Sequence, residues 1–519
     1  DPENVVDNRP LDGDGNPTGN YFFPRDMNYS INNVERERTN GHVVFQYTPV
    51  EDLLLTLDYT GTKAVTGENS ISWGMWNDYG GNINGYELDE NGTAVYADIS
   101  GNDGSFSATR GTTEVEEQSL GFNLEWQATD TLFLTLDYHD SSSETDNGKD
   151  KGMGSRGTLV LGSDQLTTKT YDYRSGEIPH AQIFWNNGTN ELAASEMDSH
   201  FSQFVHTPGK STVEQLQLDA SWDNDIFDIP LVEIKFGAAH TKQEIGGSNA
   251  WSGLIGGFLF NPAWPEIFPD EMFVRQDTSD FLDAFSGGGS SLSPGYYYSF
   301  DFDEVVARSE AFLTNEVLGG NDYFATTAYH DMGTYSEGKV AEDTISLYIQ
   351  SAWEFELWEY PVELNLGFRY EETDVTSKVL QPVPTAVWWK GGSEWHTQYL
   401  PGDNNFLTMT GKHDVFLPML DIKVDLSDDL VGRVSWGKTI SRAPLTALAG
   451  GLSLSPSPKV GSRNGTQGNT NLQPFESTNF DLSLEYYYAE GSYAAVGYFK
   501  KDVENFIGSQ IVSTTVEGI

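Results

Sequence analysis

The chain has 519 residues, and its 29 Lys and Arg against 78 Asp and Glu give a formal net charge of −49. This balance argues against a nucleic-acid-binding surface, because binding phosphates requires Lys and Arg. The absence of Cys excludes disulfides, zinc–thiolate sites and cysteine nucleophiles. The sequence contains no run of 18 apolar residues, so it predicts no transmembrane helix. Because no signal-peptide pattern opens the sequence, we expect such a peptide to be absent or already removed.

Alternating apolar and polar residues recur along the chain in pairs of segments that short turns join. In the first pair, Val43, Phe45 and Tyr47 precede the turn and Leu53–Tyr59 follows it. The turns fall near residues 49–52, 129–130, 224–225, 359–361, 427–429 and 490–491. Alternation with a period of two, joined by such short turns, predicts β-hairpins. We therefore expect about twelve strands in six hairpins, each strand about 10–14 residues long.

Long polar segments rich in Gly, Asn and Ser separate the hairpins. They span residues 65–113, 145–211, 246–342, 377–413 and 442–477. Two stretches within them, Tyr296–Val306 and Asn321–Tyr329, are candidates for further strands. Because these loops alternate strictly with the short turns, all loops should lie at one end of the sheet. Outer-membrane barrels have this asymmetry, with short periplasmic turns and long extracellular loops.

Two architectures, a soluble β-sandwich and a transmembrane β-barrel, produce such alternation. The apolar face is a dry core in the sandwich and contacts lipid in the barrel. Strands of this length favour the barrel, as do aromatic residues at the strand ends, where a barrel has its interfacial girdle. These residues are Tyr47, Tyr59, Trp126, Tyr138, Trp222, Trp436 and Tyr486–Tyr488. We predict an all-β, antiparallel transmembrane β-barrel over residues 1–519.

Three motifs in the last third of the chain resemble TonB-dependent outer-membrane receptors. Gly367–Ser377 is similar to their G-x-R-Y-E-x-T strand, and Val431–Pro444 to their strand ending in S-K-x-x-S-R-P, with Ala443 inserted. Gly468–Thr478 resembles their G-N-P-x-L-x-P-E-x-S loop, although Thr470 replaces a proline and Phe475 displaces the Glu. The matching residues are Arg369, Tyr370, Glu371, Ser441, Arg442, Pro444, Gly468, Asn469, Leu472 and Pro474. Residues 1–340 fit the architecture alone.

The resemblance implies an active importer without catalysis or a resident cofactor. In that family a plug domain fills a barrel of about 22 strands, extracellular loops capture a nutrient, and the TonB complex pulls on the plug. No plug or TonB box is recognisable here, and no terminal aromatic strand ends the sequence. We therefore expect the chain to be the barrel portion of a longer protein, with the plug domain absent. Its expected partners are the TonB complex through that plug, outer-membrane lipid and lipopolysaccharide, a small nutrient and a surface lipoprotein.

Aromatic residues in the long loops are the only local indication of the nutrient. The candidate ligand-binding residues are Trp73, Trp76, Tyr79, Trp185, Trp251, Trp264, Trp388, Trp389 and Trp395. Rings flanked by Asn, Asp and Glu suit sugars, whose C–H faces stack while their hydroxyls take the polar groups. We predict an oligosaccharide substrate. The same aromatics could instead pack the loops together, and a neutral or cationic ferric siderophore is the rival ligand, since acidic loops repel anions.

Two other functional classes stay open at this point. A secreted β-rich glycoside hydrolase would use paired carboxylates, and a surface glycan-binding protein would lack the asymmetry of turns and loops. Asp12–Asn16 has the start of a calcium loop, but Phe23 stands where the twelfth-position Glu belongs. A polar turn is the favoured interpretation, with Ca²⁺ bound at most loosely by the acidic surface.

Overall fold

The computed structural model describes residues 4–19, 21–24, 26–77, 82–101, 104–147, 156–163, 166–174, 177–185, 191–255, 268–292, 294–312, 334–381, 384–391, 394–399, 406–454, 464–513 and 515. Nearly all of its regular structure is β-strand. The strands are β1 (Asn4–Asp7), β2 (Asp26–Val50), β3 (Leu53–Trp76), β4 (Ile83–Leu88), β5 (Ala94–Ser100), β6 (Gly104–Thr129), β7 (Leu132–Asp146), β8 (Arg156–Gly162), β9 (Leu166–Asp172), β10 (His180–Trp185), β11 (Asp198–His206), β12 (Gly209–Asp223), β13 (Leu231–Ile255), β14 (Val274–Asp277), β15 (Tyr296–Ser299), β16 (Thr334–Leu357), β17 (Tyr360–Leu380), β18 (Pro384–Gly391), β19 (Glu394–Tyr399), β20 (Phe406–Ser427), β21 (Leu430–Ser441), β22 (Leu452–Leu454), β23 (Gly465–Gln467), β24 (Phe475–Ala489) and β25 (Ser492–Glu504). One α-helix, α1, covers Phe302–Phe312, and short 3₁₀ turns cover Ala194–Glu196, Asp270–Met272, Gly289–Ser291 and Leu445–Leu448. No helix in these ranges is long and apolar enough to cross a membrane.

A 14-stranded antiparallel sheet contains the six predicted hairpins. Its strands neighbour one another in the order β2, β3, β6, β7, β12, β13, β16, β17, β20, β21, β24 and β25. The turn-side part of β6 pairs with β7, and its loop-side part, residues 105–111, pairs with β8. Strand β11 then pairs with both β8 and β13. Among the described strands, β2 and β25 are the two outermost members. The hairpin prediction is confirmed at all six turns.

Ten of the twelve hairpin strands are longer than the 10–14 residues that the alternation predicts, while β21 and β25 have 12 and 13. The longest, β6, has 26 residues, and β2 and β13 have 25 each. Pairing continues past the last alternating apolar residue, because Thr, Ser and Gly positions satisfy the same backbone ladder. Apolar alternation therefore marks only one part of the long strands. Four of the five segments predicted as loops begin inside strands, and the fifth, 442–477, begins directly after β21.

The two faces of the large sheet differ in chemistry. On one face, which we call the apolar face, large side chains are exposed along the turn-side half of the strands; they include Val43, Phe45, Leu57, Leu120, Leu218, Phe236, Ile345, Leu347, Ile349, Phe368, Phe416, Leu482 and Leu484. No strand of the described residues packs against them. A soluble sandwich would bury this face, so its exposure excludes the sandwich and suits contact with lipid.

The opposite, polar face carries charged and hydroxyl side chains that pair with one another. Lys423 of β20 contacts Glu363 of β17 at 2.7 Å, and Tyr348 of β16 donates a hydrogen bond to Asp219 of β12 at 2.7 Å. Such a face needs water or polar partners beside it, because stripping water from unpaired charges is costly. The predicted pattern of an apolar and a polar side on each strand is confirmed.

A second, five-stranded sheet lies at the loop end, in the order β1, β4, β5, β9 and β10. Together with residues 268–306 it covers the loop-side part of the apolar face and forms the main apolar core. From the large sheet this core includes Trp73, Phe106 and Leu159, and from the small sheet Ile99 and Tyr171. The aromatic residues of the loops thus bury one another, as apolar surface near water should.

Only the first of the two candidate strands within the loops can be tested. Residues Tyr296–Ser299 form β15, but the rest of the predicted stretch is the start of α1. Asp301 starts the helix as its N-cap, because its carboxylate accepts a hydrogen bond from the Glu304 backbone N–H at 2.8 Å. The second candidate, Asn321–Tyr329, lies outside the described residues.

An arginine links two strands of the small sheet and should make that sheet sensitive to acid. Arg174 contacts Asp172 of β9 at 2.7 Å and Glu87 of β4 at 2.8 Å. The hydrogen bonds from Arg174 lower the pKa of Asp172. The pair therefore contributes stability above the ordinary aspartate pKa of about 4, and this contribution is lost as the pH falls through the lowered pKa.

We expect hydrogen exchange of β9 to accelerate between pH 6 and pH 3 more than that of β12, after correction for intrinsic rates. In the variant Arg174→Gln this extra acceleration should be much smaller, because its Asp172 titrates closer to its ordinary range. Equal acceleration in the variant and the parent protein would contradict the assignment.

Candidate functional site

Two of the candidate ligand-binding tryptophans lie inside the core. Trp73 and Trp185 are each 1% exposed. The Trp73 ring stacks on Tyr297 at 4.8 Å between centroids and meets Phe281 edge-on at 5.0 Å. In this conformation neither indole presents a face to solvent. Both pack loop segments against the sheet, as the alternative interpretation of the loop aromatics holds.

Four further candidates contribute little to a description of the site. The backbones of Trp76 and Trp251 lie in β3 and β13, where Trp76 pairs with Asp26 and Trp251 with Val205. Their side chains lie outside the described part of the molecule. Tyr79 and Trp264 lie outside the described residues altogether.

The remaining three candidates come together on one exposed hairpin. Strands β18 and β19 pair Trp388 with His396 and Trp389 with Trp395. The Trp388 and His396 rings are 5.1 Å apart, and the Trp389 and Trp395 rings are 5.3 Å apart at 74°. Trp388 and Trp389 are 48% and 49% exposed. We call Trp388, Trp389, Trp395 and His396 the aromatic hairpin.

The aromatic hairpin is positioned by two long strands of the large sheet. Strand β17 ends at Leu380 and β20 begins at Phe406, so the hairpin stands at the loop end between them. Successive residues of a strand point to opposite sides, so each side of the hairpin carries one aromatic pair. Exposed ring faces with indole N–H groups can stack on an apolar ligand surface and donate hydrogen bonds to its oxygens.

A groove of about 590 Å³ lies lower on the polar face. Two glycines leave room for it: a Cβ on Gly367 would lie 3.0 Å from Met419 Cγ, and one on Gly437 would lie 3.1 Å from the Pro418 carbonyl oxygen. Its polar lining includes Tyr348, Arg369, Asp421 and Asp481. Mixed donors and acceptors beside a methionine suit a polar, uncharged solute or a protein surface.

The residues of the first two family motifs meet in an ion network around a buried glutamate. Glu371 is 8% exposed and accepts hydrogen bonds from Arg369 and Arg442, each at 2.6 Å. Arg369 also donates to the Ser346 hydroxyl of β16 at 3.0 Å. Because Arg442 follows β21 directly, Glu371 joins the wall strand β17 to the segment that leaves the sheet. Tyr370, the neighbouring motif residue, points to the apolar face and is exposed.

The second and third motifs form one loop that docks on the polar face. We call residues 442–454 and 464–474 the docked loop. The Gly468 and Asn469 backbone N–H groups donate to the Ala449 and Ala447 carbonyls, each at 3.0 Å. Ala443 and Leu448 pack on Val340 and Val375, with Leu472 beside them. Of the other motif residues, Ser441 pairs with Phe475, Pro444 precedes the 3₁₀ turn, and Pro474 accepts a hydrogen bond from Asn505 at 3.1 Å.

Sequence reasoning missed the wall residues that receive the docked loop. The Ser377 hydroxyl accepts a hydrogen bond from the Gly450 N–H at 3.0 Å, and Gln381 makes two hydrogen bonds with the Leu452 backbone. Gly411 of β20 lies so close to Thr470 that a Cβ there would overlap the Thr470 carbonyl oxygen. A glycine in the interior of a strand was the available signal, because it often marks a close backbone approach.

The described residues show no arrangement that is suited to a metal. Within the described ranges, no group of three or more His, Asp or Glu side chains could hold a metal ion. In the candidate calcium loop, the Asp12 carboxylate accepts the Asp14 and Asn16 backbone N–H groups at 2.9 and 2.8 Å. This is a polar turn that satisfies its own carboxylate.

Comparisons with known proteins agree with this architecture. The family model "TonB dependent receptor-like, beta-barrel" matches residues 156–518, which is 363 of the 519 residues. No curated protein matches the chain.

Among solved structures, the chain is similar to the ferric-catecholate import receptor Fiu of E. coli K12. The identity is 9% and the TM-score 0.40, over 92% of this chain and 58% of that one. For the ferric citrate transporter FecA the values are 8%, 0.36, 96% and 54%, and for the siderophore receptor PiuA of Acinetobacter baumannii 11%, 0.36, 91% and 56%. The chain thus spans just over half the length of these solved receptors.

The family model covers well over half of the chain, and its matched range contains the three motifs, the docked loop and the last eight strands of the large sheet. Its members are transport receptors of the bacterial outer membrane. This protein belongs to the TonB-dependent receptor family, of which it contains the β-barrel region.

Proposed function

We propose that the protein takes up an oligosaccharide across the outer membrane, with energy from the TonB complex acting through a plug domain outside this barrel region. The observation that carries the proposal is the aromatic hairpin. Its two most exposed tryptophans stand at the loop end, where an extracellular ligand arrives first. Stacking on sugar C–H faces needs such uncovered rings. No catalytic step is part of the proposal, so the ligand should be recovered unchanged.

Charge supports an uncharged ligand over an anionic one. The chain carries a formal net charge of −49, and the acidic groups of its loops repel anions approaching the mouth. Oligosaccharides without acidic groups meet no such barrier. The groove on the polar face, with Arg369, Asp421 and Asp481 among its lining residues, offers both donors and acceptors to hydroxyl groups further along the route.

The proposal predicts a loss of affinity when the exposed rings are removed. We expect Trp388→Ala and Trp389→Ala each to weaken oligosaccharide binding by about 3- to 10-fold, since a ring stacking contact contributes about 0.5–1.5 kcal/mol. Calorimetric titration of the purified full-length receptor with a panel of neutral oligosaccharides measures this loss. Trp358→Ala, in the turn between β16 and β17 at the other end, is the matched control and should bind like the parent protein.

The same titration distinguishes the rival ligand. If the receptor binds a ferric siderophore at submicromolar affinity and no oligosaccharide of the panel, the oligosaccharide proposal is wrong. If both the Trp388→Ala and the Trp389→Ala receptor bind the oligosaccharide at parent affinity, the aromatic hairpin is not the site of contact.

A further inference from the structure

The aromatic hairpin is joined to the large sheet by its connections and not by strand pairing. Among the described strands, β18 and β19 form a two-stranded sheet of their own. A two-stranded hairpin alone is only marginally stable in water. The order of the hairpin, and the direction in which Trp388 and Trp389 are presented, therefore depend on how its ends are held.

The two connections of the hairpin differ in length. Strand β18 begins at Pro384, so only two residues separate it from Gln381, which directly follows β17. Strand β19 ends at Tyr399 and β20 begins at Phe406, so six residues separate them. Each residue adds two soft dihedral angles, so a short connection transmits the position of its anchor better than a long one. The hairpin is therefore positioned mainly from Gln381.

The docked loop holds Gln381 by its side-chain amide. The Nε2 of Gln381 donates a hydrogen bond to the Leu452 carbonyl oxygen at 2.9 Å, and its Oε1 accepts one from the Leu452 N–H at 2.8 Å. Four residues earlier on the same face of β17, the Ser377 hydroxyl accepts a hydrogen bond from the Gly450 N–H at 3.0 Å. We call these three hydrogen bonds the root contact, because they lie where the hairpin leaves the wall.

The docked loop is itself fixed to the wall and can serve as an anchor. Leu448 is 1% exposed and packs on Val340 of β16 and Val375 of β17. Thr470 is fully buried, and its hydroxyl donates a hydrogen bond to the Thr410 carbonyl of β20 at 3.1 Å. The loop thus contacts both strands between which the hairpin stands, on the turn side of the root contact.

Two consecutive glycines let the docked loop approach the root closely. A Cβ on Gly451 would lie 2.5 Å from Val379 Cγ2, and one on Gly450 would lie 2.5 Å from Met409 Sδ. Val379 lies between the two β17 residues of the root contact, and its branched side chain has little rotamer freedom. A methyl group at Gly451 should therefore push the loop away from β17 and break the root contact from the opposite side.

We propose that Gln381 is a positioning residue of the ligand site, through which the docked loop holds the aromatic hairpin with Trp388 and Trp389 presented to the ligand. For the oligosaccharide, this inference rests on the proposed function. Gln381 acts through the two rings and does not itself contact the ligand. Only receptors with the hairpin held bind, so the affinity scales with the held fraction. By linkage, bound ligand must stabilise the root contact in return.

The first test needs no ligand and measures hydrogen exchange of β18 and β19 in the full-length receptor. We expect Gln381→Ala and Gly451→Ala each to accelerate this exchange at least about 5-fold, as the loss of one ordinary hydrogen bond would. The matched control is Gln473→Ala. Gln473 is an exposed residue of the same docked loop, and its amide contacts the Asn471 carbonyl at 3.5 Å. This variant should exchange like the parent protein, and β12 should be unaffected in all variants.

The second test uses neutral oligosaccharides and separates positioning from stability. Gln381→Ala should weaken binding by about 3- to 10-fold, because the held fraction falls. In a Trp388→Ala background the same change should cost less than in the parent protein, since residues that act through one another are not additive. Bound oligosaccharide should slow exchange of residues 442–454 in the parent protein but not in Gln381→Ala. A residue that only stabilised the fold would produce neither effect.

The outcomes distinguish this inference from the proposed function. If β18 and β19 exchange at the parent rate in both Gln381→Ala and Gly451→Ala, or at the intrinsic rate already in the parent protein, the root contact does not hold the hairpin. An equal acceleration in Gln473→Ala, or additive losses of affinity, would also overturn the assignment of Gln381. If the parent receptor binds no oligosaccharide, the proposed function fails, and the exchange measured without ligand still decides whether Gln381 positions the hairpin.

Discussion

Trp73→Ala should lower the free energy of unfolding of the loop-end core by about 3–5 kcal/mol. The indole is 1% exposed and lies among Tyr29, Phe281 and Tyr297. Removing so large a buried side chain loses its apolar burial and leaves a cavity that the surrounding rings fill only in part. Hydrogen exchange of β5 and β9, compared with the distant β12 as an internal reference, measures the local loss.

The matched control for this substitution is Trp358→Ala. Trp358 is 83% exposed and makes the turn between β16 and β17, so its removal should leave exchange in β5 and β9 unchanged. If the amide hydrogens of β5 and β9 exchange at the parent rate in the Trp73→Ala variant, the aromatic cluster does not hold the small sheet to the large one.

Glu371→Gln should release the docked loop from the wall. The Glu371 carboxylate is 8% exposed and accepts short hydrogen bonds from two arginines. The amide of Gln carries no charge and has only one acceptor oxygen, so it cannot replace both bonds. We expect a loss of about 2–3 kcal/mol. This is less than for a fully buried pair, because Arg369 and Arg442 are 43% and 39% exposed and can hydrate. Exchange of residues 442–450 should accelerate accordingly.

The next residue along the chain provides the control. Glu372 lies on the opposite face of β17 and contacts Lys412 at 2.6 Å, with both side chains more than two-fifths exposed. Exposed pairs of this kind contribute little, so Glu372→Gln should leave residues 442–450 at the parent exchange rate. Equal effects of the two substitutions would show that charge on this strand, and not the network around Glu371, holds the loop.

Alternation was sufficient to predict the hairpins because it reports a physical requirement of each strand. Leu57 and Phe368 must lie on one side of their strands and polar residues on the other, whatever the neighbouring strand is. The length of the strands could not be predicted from the alternation. Beyond Tyr59, strand β3 continues through Thr60–Glu68, where Thr, Gly, Lys and Ala extend the backbone ladder without an apolar stripe. The family motifs supplied the second part of the prediction and locate residues that the structure brings into contact.

The candidate ligand site could be predicted only in part. Trp73 and Trp388 have similar surroundings in the sequence, with polar and aromatic neighbours in a long loop. Their difference, one buried and one exposed, depends on residues that come from segments 200 positions away, such as Phe281 and Tyr297. Sequence composition shows how many rings a loop contains, but which rings pack against each other is decided by tertiary contacts.

The length of strand β17 beyond its last exposed apolar residue determines how far the aromatic hairpin stands from the exposed apolar band of the sheet. From Tyr370 to Leu380 the strand continues for 10 residues, which is about 33 Å at about 3.3 Å per residue. With a tilt of about 40°, this gives a rise of about 25 Å. The paired strands β17 and β20 are thus a stiff support that holds the exposed rings well clear of the head-group layer.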